Sequence, residues 1–229
     1  MYGARLINSG RARRAIVGGF DSLAKFTING FNALHILSNE SCTPFDENRK
    51  GLNLGEGAAF LVLEKEEDIC SSKKIYASLS GYSNTNDAYH TSSLSDNGDG
   101  PYNAMKKALA MAELDSSQID FINTHGTGTE NNDLIESIAL NRLFQEVPNF
   151  TSTKANTGHT LGASAAIEAV YCILNLAQQE LYPGIHFQTP ISSTGLIPIG
   201  SYKIVPLLHI MSNSFGFGGN CSSLIFSKA

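Results

Sequence analysis

The chain has 229 residues, with 16 Lys and Arg against 21 Asp and Glu, a formal charge of -5 and a hydrophobic fraction of 42%. That length holds one substantial α/β unit or two small ones, and the composition is that of a globular protein rather than a disordered or collagenous one. A negative net charge argues against a nucleic-acid-binding surface, and Arg5, Arg11, Arg13 and Arg14 read as one solvated basic face or a contact for an acidic protein partner.

The N-terminus begins inside a helical pattern: Ala4, Leu6 and Ile7 resemble helix interior ending near Gly10, with no capping residue before them, so the start reads as cut. AIVGG at residues 15–19 reads as a short buried strand, followed by an irregular region with a helical piece over 30–38. GEGAAFLVLEK at 55–65 is almost continuously apolar from Ala58 to Leu63, which suits a central strand. The charged connector EKEEDICSSKK at 64–74 is the best candidate boundary, and KIYASLSGYSN at 74–84 reads as a strand entering a loop.

Beyond it the pattern alternates. Residues 99–112 predict a helix with Pro101 early and Met105, Ala108, Leu109 and Ala112 on one face. IDFINTHG at 119–126 predicts a strand, 131–144 a helix, NFTSTK at 149–154 a strand and 162–179 a buried helix. MSNSFGFGG at 211–219 and CSSLIFSKA at 221–229 predict two closing strands joined through glycines. The fold class is therefore layered α/β, with helices against a mixed sheet.

No run approaches the roughly 18 apolar residues of a membrane span, and no secretory signal opens the chain. Cys42, Cys70, Cys172 and Cys221 lack metal-site spacing and fit reduced thiols, so no membrane and a cytoplasmic location are expected.

Two histidines stand at element ends, where α/β folds gather reactive groups. His125 closes a strand in NTHGTGTENND, and His159 precedes a helix in KANTGH. Each is also readable as a satisfied polar loop residue. Gly126 and Gly128 allow a tight turn beside His125, Thr127 and Thr129 offer hydroxyls, and Asp133 can anchor the loop. The GxxxxGK[ST] and GxGxxG orders are absent, which argues against nucleotide binding. Lys154, five residues before His159, would favour a neutral imidazole if the side chains converge, and a neutral ring donates a hydrogen bond to a charged oxygen. Glu168 within an apolar helix calls for a buried charged partner or a bound cation, or else partial exposure. In SFGFGGN at 214–220, Phe217 either gates an apolar pocket or packs in an ordinary turn.

Together ARLINSGRARRAIVGG, CTPFDENRKGLNLGEGAAFLVLEK, THGTGTENND, STKANTGHTLGASAAIEAVY and NSFGFGGNCSSLIF resemble, in order, the β-ketoacyl synthase family of condensing enzymes with the thiolase-like fold. The resemblance is to bacterial type II fatty acid elongation members and implies a Cys-His-His site without cofactor or bound metal. It carries the histidines onto His125 and His159, the supporting lysine onto Lys154, and the buried acid onto Glu168. The gating aromatic and oxyanion turn fall on Phe217 and Gly218, and the loop supports on Asp133, Thr127 and Thr129. The nucleophilic Cys would lie roughly eight residues before Met1, and none of the four cysteines matches its context. The resemblance further implies a remnant of the N-terminal half over 1–72 and a C-terminal half over 73–229. Its partners would be acyl carrier protein bearing acyl and malonyl thioesters, in a homodimer or a heterodimer. DAYHTSSLSD lacks the family's proline after the serines. The alternatives are a Cys-less chain-length-factor-like subunit, a polyketide or aryl-polyene synthase, and an inactive structural fragment.

Overall fold

A computed structural model describes residues 1–229. Its largest element is a five-stranded mixed sheet built from β3 (Ser78–Asn86), β4 (Phe121–Asn123), β5 (Asn149–Thr151), β8 (His209–Gly216) and β9 (Asn220–Ser227), in the order β3-β9-β8-β4-β5. The strand β4 runs parallel to β5 and β8, whereas β9 is antiparallel to β3 and β8. A second sheet is the antiparallel pair β1 (Arg14–Asp21) and β2 (Gly57–Glu64), and a third is the short pair β6 (Glu180–Leu181) and β7 (Lys203–Ile204).

Alternation along β4 shows why the five-stranded sheet needs cover on both faces. Ile122 joins Met211 and Ile225 beneath α3 (Asp99–Ala112) and α4 (Glu130–Leu143), packing on Met105, Ala108, Leu109, Ala139 and Leu140. On the other face Phe121, Ile210 and Phe226 meet Ala169, Cys172 and Leu176 of α6 (Ser164–Gln178). Each fully buried large side chain stabilises by about 1.5–3 kcal/mol before entropy is counted.

The helix α6 lies between two β layers, touching β8 and β9 on one side and β2 and β1 on the other. Small residues allow that approach: a Cβ on Gly19 would stand 2.0 Å from the Gly162 carbonyl oxygen. The short α1 (Tyr2–Asn8) packs on β1, and α2 (Lys25–Ala33) lies on the surface with no buried residue.

Several expectations shift. The helical piece expected over 30–38 is α2, which lies earlier and ends before His35, whose φ of 55° breaks the helix. The segment expected as a central strand is one member of a two-stranded sheet, and its apolar run hides an alternation of inner and outer positions. Its outer face stays open, with Ile16 and Phe20 of β1 73% and 75% exposed and Phe60 and Val62 of β2 59% and 62% exposed. Residues 149–154 divide into a three-residue strand and the single turn α5 (Lys154–Thr157). The span Leu161–Gln178 is long and apolar enough to cross a membrane by length and composition, which corrects the expectation that none is. Its apolarity is explained by packing between two sheets, while Tyr171 and Leu174 remain exposed, so the helix is only partly buried.

Candidate active site

The strand β4 ends at Asn123, and the chain then turns sharply through His125 and Gly126, the latter at φ 37°. Two buried acids on α4 hold the turn. Glu136 accepts the N–H groups of His125 and Gly126, both at 2.9 Å. Asp133 accepts Thr127 N–H at 3.0 Å, Gly128 N–H at 3.1 Å and Phe45 N–H at 2.8 Å. Burial pushes the Glu136 carboxyl up to about 7, held back by its two backbone donors, and burial also raises Asp133. Asp133 is the anchor expected. Glu136 was missed, although an acid three residues after Asp133, among buried Ile135, Ala139 and Leu140, was a legible signal of a second inward-facing carboxylate.

Lys154 opens α5 almost fully buried. Its Nζ lies 2.5 Å from the carbonyl oxygen of His125, 2.5 Å from Glu168 Oε1 and 3.3 Å from His125 Nδ1. The cation called for beside Glu168 is thus this ammonium, and Ser164 Oγ donates to the same Oε1 at 2.9 Å. Burial pushes the Glu168 carboxyl up and Lys154 pulls it back. An ammonium has only donors, so His125 Nδ1 accepts and its proton sits on Nε2.

His159 is fixed by backbone. Its N–H donates to the carbonyl of Asn53 at 2.7 Å and its own carbonyl accepts Gly55 N–H at 3.0 Å. Its Nδ1 accepts Leu161 N–H at 3.2 Å, which again leaves the proton on Nε2. The rings of His125 and His159 stand 5.4 Å apart at 83°. Burial first, and Lys154 second, lower both imidazoles: His159 falls to about 3 and His125 goes well below its usual value. At neutral pH both rings are therefore neutral N–H donors.

Both histidines line one cleft of about 920 Å³, together with Thr127, Thr129 and Phe217. The hydroxyls of Thr127 and Thr129 lie 2.8 Å apart. Phe217 is half exposed and stacks on Phe31 with centroids 5.9 Å apart, and Gly218 takes φ 78° to complete the turn. None of the four cysteines lines the cleft. Burial pushes the thiols of Cys42 and Cys221 up to about 12 and raises Cys172 as well, so none of these three is a thiolate at neutral pH. Cys70 is exposed on the connector.

The family's sequence signatures match over most of the chain: the β-ketoacyl synthase N-terminal domain at residues 2–69 and the β-ketoacyl synthase C-terminal domain at 76–188. The chain belongs to the β-ketoacyl synthase family. A 3-oxoacyl-[acyl-carrier-protein] synthase 2 of Staphylococcus aureus is 35% identical over 98% of the chain, which covers 57% of that relative. Among solved structures, a type II polyketide synthase acyl-carrier protein in complex with its ketosynthase matches with TM-score 0.95 and 31% identity, over 100% of this chain and 59% of the other. A ketosynthase in complex with its chain length factor from Xenorhabdus doucetiae matches with TM-score 0.92 and 37% identity, over 100% and 56%. The fold is thus the thiolase-like α/β fold of ketosynthases, and the chain spans less than two thirds of the relatives it matches.

Proposed function

We propose that this chain supplies the decarboxylating half of a β-ketoacyl synthase site. The single observation that carries the reading is that His125 and His159 line one cleft with rings 5.4 Å apart, each with its Nδ1 turned to a donor, Lys154 Nζ for His125 and Leu161 N–H for His159, which leaves the Nε2–H groups for a ligand. A malonyl thioester whose carbonyl oxygen reaches both Nε2–H groups loses carbon dioxide by breaking its carboxylate C–C bond. The electron pair moves onto that oxygen as an enolate, which the two donors stabilise. The enolate carbon then attacks an acyl thioester held on a cysteine, forming the new C–C bond and expelling the thiolate. That cysteine is none of the four present and belongs to a segment of the complete enzyme.

In this reading Lys154 acts through field and orientation, Glu168 holds Lys154, and the backbone N–H of Phe217 holds the second oxyanion while its ring gates access; the Gly218 N–H is donated to the Thr91 carbonyl at 2.8 Å, so Gly218 shapes the turn instead of holding the oxyanion. Asp133 anchors the histidine turn, and Thr127 and Thr129, whose hydroxyls lie 2.8 Å apart, support the same loop. Residues 1–72 form the end of one thiolase-like half and 73–229 the other. The partner is acyl carrier protein carrying acyl and malonyl thioesters, and the complete enzyme is a cytoplasmic homodimer or heterodimer in fatty acid synthesis. By itself the chain condenses nothing. A chain-length-factor-like role is the second reading, since a ketosynthase in complex with its chain length factor is among the structures the chain resembles; the intact histidine pair favours the first.

The test is carbon dioxide release from malonyl carrier protein by the complete enzyme. Loss of one oxyanion donor in His159→Ala is expected to slow release by roughly 10²–10³-fold. Undiminished release would refute the role.

A further inference from the structure

The two histidines reside on different loops, yet one extended segment, residues 51–55, touches both. At its start Gly51 N–H donates to the Gly128 carbonyl at 2.9 Å, three residues past His125. At its end the Asn53 carbonyl and Gly55 N–H clasp the backbone of His159 at 2.7 and 3.0 Å, and Leu54 pairs with His159 in a parallel bridge. The distance between the histidine loops is therefore spanned by a few residues of one backbone.

The side chain of Asn53 locks that segment in register. Its Oδ1 accepts Cys42 N–H at 2.7 Å, and its Nδ2 donates to the carbonyls of Ser38 at 3.1 Å and Glu40 at 3.0 Å. These partners fix the amide orientation, because only the oxygen can face an N–H and only the nitrogen can face two carbonyls. Cys42, held this way, donates its Sγ–H to the Thr127 carbonyl at 3.2 Å, beside the same histidine turn. Packing leaves the segment no slack: a Cβ on Gly55 would lie 2.1 Å from the Thr157 carbonyl, and one on Gly128 would lie 2.6 Å from Cys42 Sγ.

We infer that Asn53 is a positioning residue: through its own carbonyl and through Cys42 it sets the separation and facing of His125 and His159. The role for catalysis rests on the proposed decarboxylation, whereas the geometry does not. Asn53 touches neither ring, and its influence travels by hydrogen bonds to the two loops.

The experiment is imidazole ¹⁵N NMR of the complete enzyme, with signals assigned by His125→Gln and His159→Gln, alongside thermal unfolding. Asn53→Ala and Asn53→Asp are compared with Asp120→Ala as a remote control; Asp120 Oδ2 accepts the N–H groups of Leu208 and His209 at 2.6 and 2.9 Å. The expected result is displaced or broadened signals from both histidines in the Asn53 variants, and unmoved ones in the control even where its Tm falls as far. Asn53→Asp keeps the acceptor for Cys42 and loses both donors, so it remains informative if the alanine variant does not fold. Histidine signals that stay in place in a folded Asn53 variant overturn the inference. A complete enzyme that fails to decarboxylate would overturn the proposed function and leave the NMR outcome standing.

Discussion

Lys154 and Glu168 are a buried ion pair whose members lie 14 residues apart in the chain, and its lysine holds His125 at the ring Nδ1 and the backbone carbonyl. Removing one partner of such a pair strands the other charge in a low-dielectric interior. Lys154→Met is expected to cost about 3–5 kcal/mol, read as a lowered Tm. The sign of its pH dependence follows from Glu168, whose carboxyl is raised by burial and pulled back by Lys154. Without the lysine the folded-state value climbs further. A raised carboxyl contributes stability that is full below its unfolded value and is lost as pH rises through the folded one. The Tm gap between Lys154→Met and wild type should therefore widen from pH 5 to pH 8; a constant gap would mean that Glu168 is not the group left behind.

At the level of elements, the site depends on close approach between segments that are distant in sequence. The strand β1 crosses the N-terminal end of α6 so tightly that Gly19 has no room for a side chain. Gly19→Ala must separate the layers or distort Gly162, and overpacking of this kind costs about 1–3 kcal/mol. A lowered denaturation midpoint at unchanged slope is the expected readout. Sequence patterning located elements best where a period shows, as in α3, whose predicted bounds coincide with the observed ones and whose predicted face buries Met105, Ala108 and Leu109 while Ala112 is only partly buried. It misplaced α2, whose apolar residues form a stripe like that of α3 but meet no core, since the helix buries no residue. It overextended the strands around β4 and β5 by taking in residues 124–126 and 152–154, which are polar and belong to the turns that carry His125 and Lys154.

For the whole molecule, the outer face of β1 and β2 is the largest departure from an ordinary surface. Ile16, Phe20, Phe60 and Val62 lie together on that face, on adjacent antiparallel strands. Contiguous exposed apolar side chains of this kind drive association. The isolated chain should self-associate with rising concentration in light scattering. The double substitution Phe20→Lys and Phe60→Lys should suppress that without loss of helix signal. A wild-type chain that stays monomeric at high concentration would contradict this.

The sequence by itself determined the α/β class and the family and singled out His125, Lys154, His159 and Glu168 as candidate site residues, because local motifs and a charge within an apolar helix are visible in one dimension. It also pointed to Asp133 as the loop anchor. Only the tertiary structure decided that Lys154 is the partner of Glu168, that Glu136 shares the anchoring of the histidine turn, and that residues 51–55 bridge the two histidine loops. Those are contacts between backbone groups and side chains far apart in sequence. Their selectivity lies in distance and direction, which spacing along a chain does not encode.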